Sequence, residues 1–251
     1  MSGHSKWATI KRKKAATDAA RGKMFSKAIK EITIAARHGG ADPEANPRLR
    51  TAILAAKAVN MPGSNIDRAI QRGAGGGEGT HYEEATYEGY APGGVAVLVE
   101  VATDNKNRTA GDIRHILTRF GGAMAEAGAV SYMFRSRALI LVEKSAVAEE
   151  ALIELALEAG ADDVIPGGDT YEILAAPAAL EPVKAVLAAK GIPVQSAEVT
   201  RIASVEVPLD EKHAGQVFRL MEELEDHDDV QKVHSNLSVT EEVLARLAQK
   251  T

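Results

Sequence analysis

Residues 137–203 read RALILVEKSAVAEEALIELALEAGADDVIPGGDTYEILAAPAALEPVKAVLAAKGIPVQSAEVTRIA, and this stretch decides the fold. The apolar run Leu139-Ile140-Leu141-Val142 predicts a strand. A helix over 146–159 follows, then strands near 164–165 and 171–175. A helix over 178–190 and a strand from 194 to about 202 close the pattern. The order βαββαβ is ferredoxin-like and self-contained.

The flanks are not self-contained. Residues 205–237 predict a strand end, a helix carrying Val217, Leu220, Met221 and Leu224 inward, and a strand over 230–234. That unit cannot bury its own apolar face. On the other side, strands over 82–90 and 95–101 are joined through Ala91-Pro92-Gly93-Gly94, a hairpin turn. A helix over 107–120 buries Ile113, Ile116, Leu117 and Phe120, and a strand is expected over 130–134. Residues 80–136 and 204–238 therefore complete one split α+β domain, with 137–203 inserted into it. Residues 239–251 hold a C-terminal helix, 241–249.

Residues 24–75 read as a three-helix bundle. Phe25, Ile29, Ile32 and Ala36 recur at helical spacing, and Gly39-Gly40 stops the first helix. Asn46-Pro47 is an N-cap followed by proline at the first helical position. The second helix carries Leu49, Ile53, Ala56 and Val59 inward. The third, after Met61-Pro62-Gly63, carries Ile66, Ala69 and Ile70, with Arg68 and Arg72 on an outer edge. The glycine run 73–79 lacks the Lys-Ser/Thr pair of a phosphate loop and reads as a flexible linker. The expected fold class is α+β multidomain, a small N-terminal helical bundle plus two ferredoxin-like α+β domains, one inserted into the other.

Residues 1–23 form a basic arm, expected to be flexible through self-repulsion. Residues 1–75 hold 15 Lys/Arg and 5 Asp/Glu, a net of +10, and residues 76–251 hold 15 and 30, a net of −15. A basic end against an acidic body points to nucleic acid, because each cation placed on a phosphate releases a counterion. The expected contacts are His4, Lys6, Trp7, Lys11, Arg12, Lys13, Lys14, Arg21, Lys23, Lys27 and Lys30. Trp7, the only tryptophan, can stack on an unpaired base or anchor the arm on the protein.

Other chemistries find little support. Cysteine is absent, which excludes disulfides, thiol nucleophiles and cysteine-held metals. The seven histidines form no ligand-spaced pair, and no Gly-x-Ser-x-Gly elbow is present. No catalytic residue, cofactor or metal site is expected. No apolar run approaches the ~20 residues of a membrane span, and no secretory signal opens the chain, so it reads as cytoplasmic without a membrane partner. The acidic run from Glu222 to Asp229 reads as a solvated rim in preference to a cation site. Asp104, Asn105, Lys106, Asn107 and Arg108, between a strand and a helix, read either as a capping turn or as a candidate anion site at a helix N-terminus. Tyr171 is the only aromatic in 137–203, which argues against base stacking on that sheet.

The same residues carry a family resemblance. Met1-Ser2-Gly3-His4-Ser5-Lys6-Trp7, Ile10-Lys11, Lys14, Arg21-Gly22-Lys23, Phe25-Ser26-Lys27 and Lys30-Glu31-Ile32 resemble the start of the YebC/PmpR family. Asn46-Pro47-Arg48-Leu49-Arg50, Asn60-Met61-Pro62, Glu88-Gly89-Tyr90, Thr103-Asp104-Asn105, Asn107-Arg108-Thr109 and Asp228-Asp229-Val230-Gln231 continue it, so it spans the chain. The sequence departs from the pattern at Met124-Ala125, Ala129 and Arg135-Ser136-Arg137-Ala138. The resemblance implies a three-domain cytoplasmic protein that is not an enzyme, a probable DNA-binding transcriptional regulator. It also implies an alternative, a translation factor on ribosomal or transfer RNA. Mitochondrial relatives are translational activators, and some bacterial ones are linked to ribosomes stalled on proline-rich sequences.

Overall fold

The computed structural model describes residues 18–75 and 81–249. Three helices open the described chain: α1 (Asp18–Gly39), α2 (Pro47–Ala58) and α3 (Gly63–Gly73). Ile32, Ala35 and Ala36 of α1 meet Leu49, Ala52 and Ala56 of α2 and Ile66 and Ala69 of α3 in one apolar cluster. Buried Asn46 sets the entry to α2. Its Oδ1 accepts from the Leu49 amide at 3.1 Å, and its Nδ2 donates to the Ala35 and Gly40 carbonyls, each at 2.8 Å. One side chain thus caps α2 and ties it to the end of α1.

Two sequence expectations change here. The first helix begins at Asp18 and not near Phe25, so residues 18–23 belong to α1 and not to the arm. An apolar stripe marks only the buried part of a helix, and good helix formers such as alanine can carry it further. Gly73 is not linker but the buried last residue of α3. A Cβ there would lie 2.4 Å from the Thr33 carbonyl oxygen and 2.7 Å from the Ala36 Cβ, so only glycine lets α3 approach α1 this closely.

The split domain contains β1 (Glu83–Ala91), β2 (Val95–Thr103), α4 (Lys106–Arg119) and β3 (Ala123–Met124). After the insertion come β8 (Val207–Pro208), α7 (Glu211–Asp226), β9 (Val230–Ser235), β10 (Leu237–Ser238) and α8 (Glu241–Gln249). The inserted unit lies between them: β4 (Phe134–Glu143), α5 (Glu149–Glu158), β5 (Ala161–Pro166), β6 (Thr170–Ala175), α6 (Leu180–Ala189) and β7 (Val194–Ala203).

The split sheet runs β3-β1-β2-β9 and the inserted sheet β5-β6-β4-β7, both with antiparallel neighbours. Alternation sorts the side chains. Val95, Val97, Val99 and Val101 of β2 face Ile113 and Leu117 of α4 and Val217, Leu220, Met221 and Leu224 of α7. In the insertion, Ala138, Ile140 and Val142 join Tyr171, Ile173 and Ala175 beneath Leu152, Ala156, Val183 and Leu187. Tyr171 therefore points into the core. The insertion has the ferredoxin-like βαββαβ order. The split domain reaches the same spatial arrangement of strands by other connections, since its chain enters through the β1–β2 hairpin.

The strand expected over 130–134 is not there. Residues Ser131–Met133 form a 3₁₀ turn, and β4 starts at Phe134. The cause is Glu88. Its buried carboxylate accepts from the amides of Gly128, Val130 and Ser131 at 2.7, 2.6 and 2.8 Å, taking donors a ladder would need. Burial pushes the Glu88 carboxyl up, but these backbone donors outweigh it and hold the pKa below the usual value. The β4–β7 ladder already includes Phe134 opposite Ala203, so the inserted unit begins before Arg137.

The two sheets meet at Glu100 of β2. Arg201 of β7 lies 2.6 Å away and buried His234 of β9 lies 3.6 Å away. Contact with His234, and then with Arg201, brings the Glu100 pKa down to about 2 against the opposing effect of burial. A carboxylate depressed in the folded state stabilises above its unfolded pKa of 4.5, and that contribution is lost as pH falls toward 2. Acid titration of wild type and Glu100→Gln, followed by limited proteolysis between the sheets, is expected to show a shallower pH dependence over this window in the variant. Identical profiles would remove Glu100 as the junction's acid-sensitive group.

Candidate nucleic-acid interface

The expected contacts fall into three groups. His4, Lys6, Trp7, Lys11, Arg12, Lys13 and Lys14 lie outside the described residues, as does the side chain of Arg21. Lys23, Lys27 and Lys30 lie on one stripe of α1, spaced by four and three. They are turned onto the end of α7 and the loop after it. Lys23 Nζ lies 3.3 Å from Asp226, Lys27 donates to the Glu225 carbonyl at 2.6 Å, and Lys30 donates to the Asp228 carbonyl at 2.9 Å. Lys30 also binds the Asp229 carboxylate at 2.6 Å, with both side chains buried.

This geometry gives the acidic run a role that the sequence reading lacked. A helix C-terminus leaves carbonyls without partners and carries the negative end of the dipole, so carboxylates there are unfavourable alone. The α1 lysines supply the missing cations. The run is a docking edge for the helical bundle and not only a solvated rim. On its other side Arg119 of α4 lies 2.6 Å from Glu223.

The third group meets at Asp229. Its Oδ2 accepts from Arg108 and Thr109 at 2.8 Å each and from Thr103 at 3.1 Å, while Lys30 occupies Oδ1. Three segments far apart in sequence converge on one buried carboxylate. Burial would raise its pKa, but hydrogen bonds from Lys30, Arg108 and Thr109 hold it well below the usual range. Arg108, bound to Asp229 and then to Asp104 at 2.7 Å, is held above the ordinary arginine value.

Residues 104–108 thus form a capping turn. Asn105 Oδ1 accepts from the Arg108 amide at 3.1 Å, and Thr103 Oγ1 accepts from the Asn105 amide at 3.0 Å. Lys106 pairs with exposed Glu83 at 2.6 Å. Glu83, Thr103, Asp104, Asn105, Lys106 and Asn107 line an open recess of about 290 Å³. Both cations of the expected anion site are matched by carboxylates, so an anion entering there would have to displace Glu83 or Asp104.

Cations without a carboxylate partner among the described residues lie elsewhere on the bundle. Lys57 of α2 and Arg68 and Arg72 of α3 are exposed. Arg68 and Arg72, four apart, share the outer edge of α3. Among the described residues no His/Asp/Glu cluster has metal-holding geometry, and no described helix is long and apolar enough to cross a membrane.

Two family models match. The TACO1/YebC protein N-terminal domain covers residues 5–76, and the TACO1/YebC second and third domain covers 82–237. A probable transcriptional regulatory protein of Dictyoglomus thermophilum is 55% identical over 249 residues, covering 99% of this chain and 100% of that one. Another, of Geobacter sulfurreducens, is 54% identical over 247 residues, covering 98% and 100%. The crystal structure of a conserved hypothetical protein from Aquifex aeolicus superposes with a TM-score of 0.80 at 49% identity, covering 89% of this chain and 93% of that one. With both models matched and relatives aligned along their whole length, the chain belongs to the TACO1/YebC family.

Proposed function

We propose that this chain is a DNA-binding regulator of transcription that acts by binding and not by catalysis. The observation that carries the reading is the charge division, +10 over residues 1–75 against −15 over the rest. Relatives more than half identical are named probable transcriptional regulatory proteins, which supports the same reading. The phosphate contacts fall to the basic segment of residues 1–17 and to the outer edge of α3. Lys27 and Lys30 are spent on holding the bundle to α7.

Duplex DNA binding as a function of salt tests this. Arg68→Gln with Arg72→Gln is expected to reduce the slope of log affinity against log salt by roughly two, at ~0.9 per phosphate. The melting temperature should stay unchanged, because both side chains are exposed. A wild-type protein that does not bind duplex DNA at low salt would overturn the proposal, and co-sedimentation with ribosomes would redirect it to RNA.

A further inference from the structure

Tyr132 is 73% exposed, the most exposed of the large apolar side chains described. A ring on a loose loop would mean little, but this loop is fixed from several directions. Glu88 holds the amides that lead into the turn, Gly128, Val130 and Ser131. The Tyr90 hydroxyl donates to the Ala129 carbonyl at 3.3 Å. The Ser204 amide donates to the Met133 carbonyl at 2.7 Å. Val130 and Phe134 are buried on either side against Ala96 and Leu98. The fold thus spends a buried carboxylate on a turn that presents one aromatic ring to solvent.

Three arginines lie near this end of the β4–β7 ladder. Arg137 pairs with Asp162 and Arg201 with Glu100, each at 2.6 Å. Arg135, three residues past Tyr132, is exposed and has no carboxylate partner among the described residues. An exposed aromatic ring three residues from an unmatched guanidinium fits a base and its phosphate. A protein partner would need roughly 800 Å² of complementary surface per side. Here the other exposed large apolar side chains described near the turn are Tyr90, only 39% exposed with its hydroxyl tied to Ala129, and Val205, too few for such an area.

We propose that the Ser131–Met133 turn and Arg135 form a stacking site for an unpaired base of single-stranded nucleic acid, with Tyr132 against the base and Arg135 on a flanking phosphate. The site rests on the nucleic-acid reading above and adds to it a contact that duplex DNA does not use. Because the scaffold is already ordered, little loop entropy is lost on binding.

Fluorescence anisotropy with short single-stranded RNA and DNA of one sequence, and with the matching duplex, tests it on the full chain. Tyr132→Ala is expected to weaken single-strand binding about five- to hundredfold, with the salt slope and duplex affinity unchanged. Tyr132→Phe should bind like wild type, since the ring alone stacks. Arg135→Gln should lower the single-strand slope by about 0.7. If Tyr132→Ala binds single strands as tightly as wild type, the turn is no stacking site, while duplex binding leaves the broader reading standing. An equal loss on duplex and single strand also overturns stacking. A wild-type protein that binds none of the three overturns the nucleic-acid reading itself.

Discussion

Replacing Asp229 with alanine is expected to destabilise the protein by about 3–5 kcal/mol, the cost of stranding the partner of a buried ion pair. Lys30, only 8% exposed, would lose its one carboxylate, and Arg108, Thr109 and Thr103 would lose a shared acceptor. For a chain of this size the melting midpoint should fall by roughly 6–20 °C. Arg108 can turn to Asp104 and to water, but buried Lys30 cannot. Lys30→Met with Asp229→Leu should therefore recover much of the loss, because an apolar pair carries no desolvation penalty. Since its pKa is depressed, Asp229 contributes fully above its unfolded value of 3.8, and the contribution is lost only as pH falls below that. An Asp229→Ala protein that melts with wild type would show that the bundle does not depend on this carboxylate.

Deleting residues 2–17 is the counterpart, a large loss of binding without a loss of fold. The segment holds Lys6, Lys11, Arg12, Lys13 and Lys14 and lies ahead of α1. With about 0.9 counterions released per phosphate, the salt slope on duplex DNA should fall by roughly four to five, and low-salt affinity on the order of a hundredfold or more. Glutamine at Lys11, Arg12, Lys13 and Lys14 should account for roughly three to four of that slope. Trp7→Ala should leave the slope alone and cost ~1–3 kcal/mol on single strands if the indole stacks. Unchanged binding by the truncated chain would reduce the segment to a tail and leave only the α3 edge.

Much of the fold was legible because local pattern and tertiary burial agree in it. The inserted unit's six elements appear at their expected places, since each helix stripe and each strand run is buried by its immediate neighbours in sequence. The split domain follows from a deficit, an αβ unit with no partner for its apolar face, and β2 and α4 fill that deficit by packing on α7 and β9. The missed strand over 130–134 shows where pattern fails. Val130 and Phe134 are buried, yet Tyr132 between them is exposed and a carboxylate forty residues away in sequence takes the amides. Nothing in Glu88-Gly89-Tyr90 signals that capture, because a glutamate in a strand reads as solvent-facing.

The interface divides in the same way. The family, the charge asymmetry and the three helices can be read from contiguous residues, whereas residues 104–108 read either as a capping turn or as an anion site until their carboxylate partners are seen. Which cations remain available is set by contacts in three dimensions. Lys27, Lys30, Lys106 and Arg108 look as basic in sequence as Arg68 and Arg72, but the first four are matched by carboxylates or carbonyls brought from elsewhere in the chain. A charge's partner is set by distance in space, and an ion pair such as Lys30 with Asp229 joins positions that no local period connects.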